Sequence, residues 1–227
     1  MRCGRLAAAL GVGFALALAL VSAAPARGQR VRAPGETPIA DVLQVIELDR
    51  ELAAVDGLAG GEIRVALERG ERVLWTEARG RVGLAVTDRR LLAVATRSGA
   101  WQSTRFRRGE APPEGAFVGE QVAVVVTSKR ALGFDGGSGN LVERSLGPRE
   151  QVIAADASGA VGLVVTDRRA LAVSPFAGGF FTTALRVGES IEAVAATGNV
   201  ATVRTSRRLL TFQAVGGLWV ELDLFGR

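Results

Sequence analysis

A cation recurs through this chain at nearly constant spacing. Arg50, Arg89, Lys129, Arg168 and Arg207 are separated by 39, 40, 39 and 39 residues. Other columns keep the same register. Glycine stands at Gly60, Gly99, Gly139, Gly178 and Gly217, and an apolar residue at Leu67, Phe106, Leu146, Leu185 and Leu224. A second apolar column runs through Val55, Val94, Phe134, Val173 and Phe212. Four copies carry Glu71, Glu110, Glu150 and Glu189, and Arg227 takes that place in the last. Such recurrence marks units that bury their apolar faces only against neighbouring copies. It restricts the chain to a repeat architecture.

Within a unit the pattern is that of short strands, termed D, A, B and C in chain order. In the fourth copy Val161–Thr166 (A) is a continuous apolar run, as in a strand covered on both faces. Thr166–Arg169 reads as a tight turn, in which an aspartate suits the local hydrogen bonding. Ala170–Val173 (B) follows, then a glycine turn at Ala177–Gly179, strand Phe180–Leu185 (C), a turn at Gly188-Glu189, and Ile191–Ala196 (D), which opens the next unit. Strands this short with frequent turns predict an all-β fold. The first copy is the most divergent. Asp41–Val55 also fits a helix capped by Asp41, with Leu43, Ile46, Leu48 and Leu52 on one face, but the repeat register favours strands.

The ends set the expected phase. Ala33-Pro34-Gly35-Glu36-Thr37-Pro38-Ile39 resembles Ala111-Pro112-Pro113-Glu114-Gly115-Ala116-Phe117, so the repeat array opens on a D segment and closes on the C strand Trp219–Leu224. Repeats are expected at 33–71, 72–110, 111–150, 151–189 and 190–227. Each A-B-C-D sheet then takes its outer strand from the start of the next repeat, and the N-terminal strand completes the last. This phasing resembles that of β-propellers such as WD40 proteins. The Trp-Asp and Gly-His marks of WD40 repeats are absent, as is a Kelch di-glycine motif in its proper place, and no closer family is indicated. The resemblance implies a five-bladed β-propeller of four-stranded antiparallel blades in a closed ring, with a β-solenoid or β-sandwich as the alternative. Prolines in Ala33–Asp41 and Ala111–Gly119 suit an outermost D strand.

Residues 1–26 read as a signal peptide: Arg2 and Arg5, an apolar run from Leu6 to Ala24, and Ala24-Pro25-Ala26 as cleavage site. The run is also long enough for an uncleaved anchor. The expected location is the periplasm or the exterior, with a single domain at 27–227. Removal of the segment takes away Cys3, leaving a chain without cysteine, histidine or tyrosine. Thiol chemistry, disulfides, His-ligated zinc and a His-based triad are therefore excluded. The net charge of +5 falls to about +3, too little to indicate nucleic acid.

The candidate ligand-binding residues are Arg50, Arg89, Lys129, Arg168 and Arg207 on the A–B turns. Arg90, Arg130, Arg169 and Arg208 follow directly, with Glu51 the exception. A basic face of this kind suits a phosphate, an acidic glycan, a lipid headgroup or an acidic protein surface. The glutamate column would share that face, and exposed Arg–Glu pairing would satisfy both. The loop Asp135–Asn140 has oxygen donors for calcium but reads better as a plain turn. Trp101, Phe180 and Trp219 share a column with Leu141 and Glu62 and suit packing between units, whereas Trp75 alone on a D strand suggests a contact surface. Glu36, Asp41, Asp56, Glu77, Glu120, Asp135 and Asp156 are the carboxylates that a glycosidase reading would need to converge. No catalytic motif, cofactor or metal site emerges. The sequence therefore points to a non-enzymatic binding or scaffold module of the bacterial cell envelope, with a carbohydrate-active enzyme as the alternative. Its expected partner is a protein or an anionic glycan or lipid, with a membrane involved only if the leader stays attached.

Overall fold

The computed structural model describes residues 41–225. The leader at 1–26 and the segment expected to close a ring lie outside the described residues, apart from Asp41. Every regular element described is a strand. The first sheet contains β1 (Leu43–Glu47), β2 (Glu51–Asp56) and β3 (Glu62–Ala66), so the divergent first copy is extended and not helical. The second contains β4 (Val73–Arg79), β5 (Val82–Thr87), β6 (Arg90–Ala95) and β7 (Gln102–Arg105). The third contains β8 (Phe117–Val118), β9 (Val122–Val126), β10 (Arg130–Asp135) and β11 (Asn140–Ser145). The fourth contains β12 (Val152–Ser158), β13 (Val161–Thr166), β14 (Arg169–Val173) and β15 (Phe180–Ala184). The fifth contains β16 (Ile191–Thr197), β17 (Val200–Thr205), β18 (Arg208–Gln213) and β19 (Leu218–Asp223).

All pairings are antiparallel, and each four-stranded sheet is a meander in chain order. This corrects the expected phase. The D strand is not lent to the preceding sheet; it pairs with the A strand of its own repeat, as β12 does with β13. The cause is local. Gly80-Arg81, Gly159-Ala160 and Gly198-Asn199 are two-residue loops closing pairs Arg79↔Val82, Ser158↔Val161 and Thr197↔Val200. Glycine with φ near +56° leads each loop, which fits the type II′ hairpin turn. The D strand follows the C strand across a six-residue connection, 146–151 between β11 and β12, and the two-residue D–A loop is the shorter closure.

The sheets stack face to face in sequence order. Strand β12 lies against β8 and β9 on one side and β16 on the other, and the C strands β7, β11, β15 and β19 follow one another similarly. In the three inner sheets the A and B strands are buried on both faces, from Val82 to Thr87 and from Val161 to Thr166 without interruption. One apolar layer fills each junction. Between the fourth and fifth sheets, Val161, Leu163 and Val165 meet Ala201, Val203, Leu210 and Phe212. Packing is tight: a Cβ added to Gly162 would lie 2.3 Å from a Val124 methyl. Aromatic residues tie the junctions. Trp101 donates its indole N–H to the Ile63 carbonyl at 2.9 Å, and Trp219 to that of Phe181 at 3.1 Å. Trp75 is not a free contact surface. It packs on the core of the second and third sheets and donates to the Pro113 carbonyl at 2.8 Å.

A backbone spine joins the D–A turns. The N–H of Val42 reaches the carbonyl of Gly80 (2.9 Å), Arg81 that of Glu120 (2.9 Å), Gln121 that of Gly159 (2.9 Å) and Ala160 that of Gly198 (2.8 Å). One such bond crosses each of the four junctions. The outward faces of the first and fifth sheets do not cover one another: Ile46 is 38% exposed and Leu218 60%.

Candidate anion-binding face

The A–B turns begin at a threonine. Thr166 Oγ1 accepts the backbone N–H of Arg168 and of Arg169, at 3.1 and 3.0 Å, and donates to Glu150 Oε1 at 2.9 Å. Thr87, Thr127 and Thr205 repeat this arrangement with Glu71, Glu110 and Glu189. The threonine therefore organises the turn, where the sequence pointed to aspartate. Asp88 and Asp167 instead accept the N–H of Arg72 and Gln151, both at 3.0 Å, at the start of the adjoining D strands.

The second cation of each turn closes on the same glutamate. Arg169 spans Glu150 with Nε to Oε1 at 2.7 Å and Nη2 to Oε2 at 2.9 Å, and its Nη2 also reaches the Ser145 carbonyl at 2.8 Å. Arg208 spans Glu189 at 2.9 and 3.0 Å, and Arg90 spans Glu71 at 2.8 and 3.0 Å. Arg130 holds Glu110 at 3.0 Å and also contacts Glu143. Each glutamate comes from the C–D turn of one repeat, and each threonine and arginine from the next. Four such clamps therefore stitch the four junctions. Their carboxylates are buried; the Arg130 and Arg208 side chains are 3% exposed, and those of Arg90 and Arg169 13 and 21%. The pairing is therefore not the exposed, weak kind expected from sequence.

Electrostatics follow from this geometry. Burial acts to raise the Glu150 pKa, but hydrogen bonds from Arg169, the Gly147 amide and Thr166 outweigh it and hold the group at about 2. The hydrogen bond from Arg208 leads in lowering Glu189 to about 2, against the opposing effect of burial. Glu71 and Glu110 are also lowered, burial again being overcome by the arginine and threonine donors.

The first cation of each turn remains outside the clamps. Arg89 meets Glu68 at 3.3 Å and the Arg69 carbonyl at 3.2 Å, and Lys129 reaches the Arg108 carbonyl. Arg168 is 55% exposed, with its carboxylate contact limited to the adjacent Asp167 at 4.0 Å. Arg50 and Arg207 form no ion pair among the described residues. Arg50 borders a depression of mixed charge with Asp49, Glu68, Arg69, Gly70 and Glu71. The C–D turns beside this column add exposed Arg69, Arg108, Arg149 and Arg186. Because the clamps consume the glutamate column internally, the cations that reach solvent at the turn end are those of the first column and of the C–D turns, with Asp49 and Asp167 exposed among them and Glu68 paired with Arg89 and Arg105. Reading the sequence singled out the glutamates and both cation columns. It missed the threonine column, whose signal was a threonine two residues before the first cation in four copies.

Five of the carboxylates considered for catalysis, Asp41, Asp56, Glu120, Asp135 and Asp156, serve as backbone caps. Asp41 accepts the Gly80 N–H at 2.8 Å, and Glu120 pairs with Arg79 at 2.7 Å and accepts the Gly159 N–H. Asp156 accepts the N–H groups of Ala157 and Ala196, both at 3.0 Å. Asp56 caps Leu58 and Ala59. Asp135 caps Gly137 and Ser138 and also binds the Ser138 hydroxyl, so the glycine-rich loop is a closed turn. Burial pushes the Glu77 carboxyl up despite nearby Arg79. Glu36 lies outside the described residues. Among the described residues no three His, Cys, Asp or Glu side chains gather as a metal site.

No protein-family model matches the chain, and no curated protein matches it. Among solved structures, yeast RCC1 (Prp20) bound to Kap60 is similar at 12% identity and a TM-score of 0.36, over 72% of this chain and 54% of that one. The N-terminal domain of Nup159 is similar at 13% identity and 0.33, over 81% and 59%. Apo AztD from Citrobacter koseri is similar at 11% and 0.37, over 82% and 60%. The matched part thus spans between about half and three-fifths of those chains.

Proposed function

We propose that the chain is a non-enzymatic binding or scaffold module of the bacterial cell envelope, exported by its leader, with its five sheets acting as the blades of a propeller-type fold. Its working surface is the turn end of the stack. Arg50, Arg89, Lys129, Arg168 and Arg207 contact an anionic partner there, either an acidic protein surface or an anionic glycan or lipid headgroup. The observation that carries this reading is the division of labour in each turn: the second arginine is paired internally with the C–D turn glutamate, while the first cation stays outside that clamp, beside Asp49, Asp88 or Asp167 in three copies. Arginine suits such contacts because its planar fork matches carboxylate and phosphate oxygens.

The test is affinity capture from cell-envelope extract, with the protein and with a bait in which Arg89, Lys129, Arg168 and Arg207 are replaced by serine. Circular dichroism first checks that the altered bait keeps its β signal. A partner captured by the first bait and lost with the second supports the reading. Identical captures with both baits would refute it.

A further inference from the structure

The two ends of the stack are finished differently. In the second to fifth sheets, the face turned to the preceding sheet carries Trp101, Leu141, Phe180 and Trp219 in one column and Leu92, Leu132, Leu171 and Leu210 in another. The first sheet has Glu62 and Ala53 in those places. A third column is Gly83, Ala123, Gly162 and Ala201, small because the neighbouring sheet leaves no room; the first sheet has Gln44. The clamp columns change as well, to Leu48 for threonine and Glu51 for arginine. Cross-strand register places Gln44, Val55 and Glu62 side by side, with Ile46, Ala53 and Arg64 next to them. Arg64 bridges Glu51 at 2.6 Å and Glu62 at 2.9 Å across this face. The first sheet therefore closes its end with polar, mutually paired groups, as a terminal repeat does.

The fifth sheet is not closed in that way. Its outward face sets Val200, Gln213 and Leu218 in one row, Thr202, Thr211 and Val220 in the next, and Arg204, Leu209 and Leu222 in the third. The matching positions of the fourth sheet, Val161, Leu163, Val165, Ala170 and Ala172, are fully buried against the fifth. Here Leu218, Val220 and Leu222 are 60, 46 and 61% exposed, forming an apolar stripe beside Leu209. The charges on this face are balanced, Arg204 meeting Glu192 at 3.0 Å.

We infer that the outward face of the fifth sheet docks the same face of a second copy of this chain, about a twofold axis. The first sheet of another copy is a poor occupant. It brings Gln44 where the internal junctions admit only glycine or alanine, Glu62 where they place an aromatic or leucine, and neither clamp residue. An open apolar face without a matching opposite end is satisfied by itself, and an isologous contact stops at two copies. The Arg204–Glu192 pair leaves this face without net charge, so two copies can approach without repulsion. The face spans roughly 15 by 20 Å from the strand spacings. It is therefore small for an obligate dimer, and a reversible one is expected.

Sedimentation velocity over a concentration series tests this, together with cysteine cross-linking in a Cys3→Ser background. The expected result is a reversible dimer formed by about 100 µM, a weak affinity in keeping with the small face. Val220→Arg should leave a monomer with an unchanged β signal. A Val220→Cys variant should oxidise to a disulfide-linked dimer, while Ile46→Cys should not. A wild-type monomer throughout, or a dimer indifferent to Val220→Arg, would overturn the proposal. So would species larger than two copies, or cross-linking of Val220→Cys preferentially to Ile46→Cys, which would assign a head-to-tail contact.

Discussion

Glu110 and Arg130 face each other at 3.0 Å with almost no solvent on either side chain, although they belong to consecutive repeats. The pair ties the connection between the second and third sheets to the first residue of β10. Removing Glu110 leaves the buried Arg130 with only the half-exposed Glu143 as a carboxylate partner, a loss toward the lower end of the about 3–5 kcal/mol expected for breaking a buried pair. Glu110→Ala is expected to lose stability on that scale. Arg168→Ala, whose side chain is more than half exposed, should change it by no more than about 1 kcal/mol. Urea unfolding of both variants gives the comparison, and equal effects would show that the clamps are not the stronger set.

Acid should unfasten the clamps in a defined window. Glu150 and Glu189 sit at about 2 in the folded protein against an ordinary value of 4.5. Because the folded value is depressed, their contribution is complete above pH 4.5 and is lost as pH falls from there toward 2. Thermal melts should show a fall in melting temperature across that interval. Glu189→Gln should start from a lower melting temperature at pH 7 and show a shallower fall.

Close approach between sheets predicts a contrast among glycines. Gly162→Ala must displace Val124 and is expected to cost about 1–3 kcal/mol as an overpacked core. Gly61→Ala has nothing within 4 Å of the new methyl and an ordinary backbone, so it should be close to neutral. Chemical denaturation of the two variants decides the matter.

The repeat, its boundaries and the strand nature of each unit were legible because columns such as Val94, Phe134, Val173 and Phe212 must face a neighbouring sheet and therefore stay apolar. The phase was misread from the similarity of residues 33–39 to 111–117. The signal that settles it is the Gly-X pair at Gly80, Gly159 and Gly198, whose short loops leave the D strand no partner but the next strand in the chain. The cation columns were visible, but not their separation into buried and exposed sets. Arg89 and Arg90 are alike in sequence. Only the alternation of a strand, which points Arg90 back toward Glu71 while Arg89 stays on the turn, tells them apart. Glu62 and Glu51, the exceptions in their columns, mark the first sheet as a terminus.

The meander phase also governs how such a chain can change in length. A sheet whose strands all come from one repeat leaves no strand orphaned when a whole unit of about 39 residues is duplicated or deleted, because the D–A spine simply gains or loses one rung. The clamps re-form across the new junction from the same three residue types. Such a chain can therefore grow or shrink by unequal exchange between its own repeats. A ring fastened by a borrowed strand could not, since each change of number would have to be reconciled with its closure.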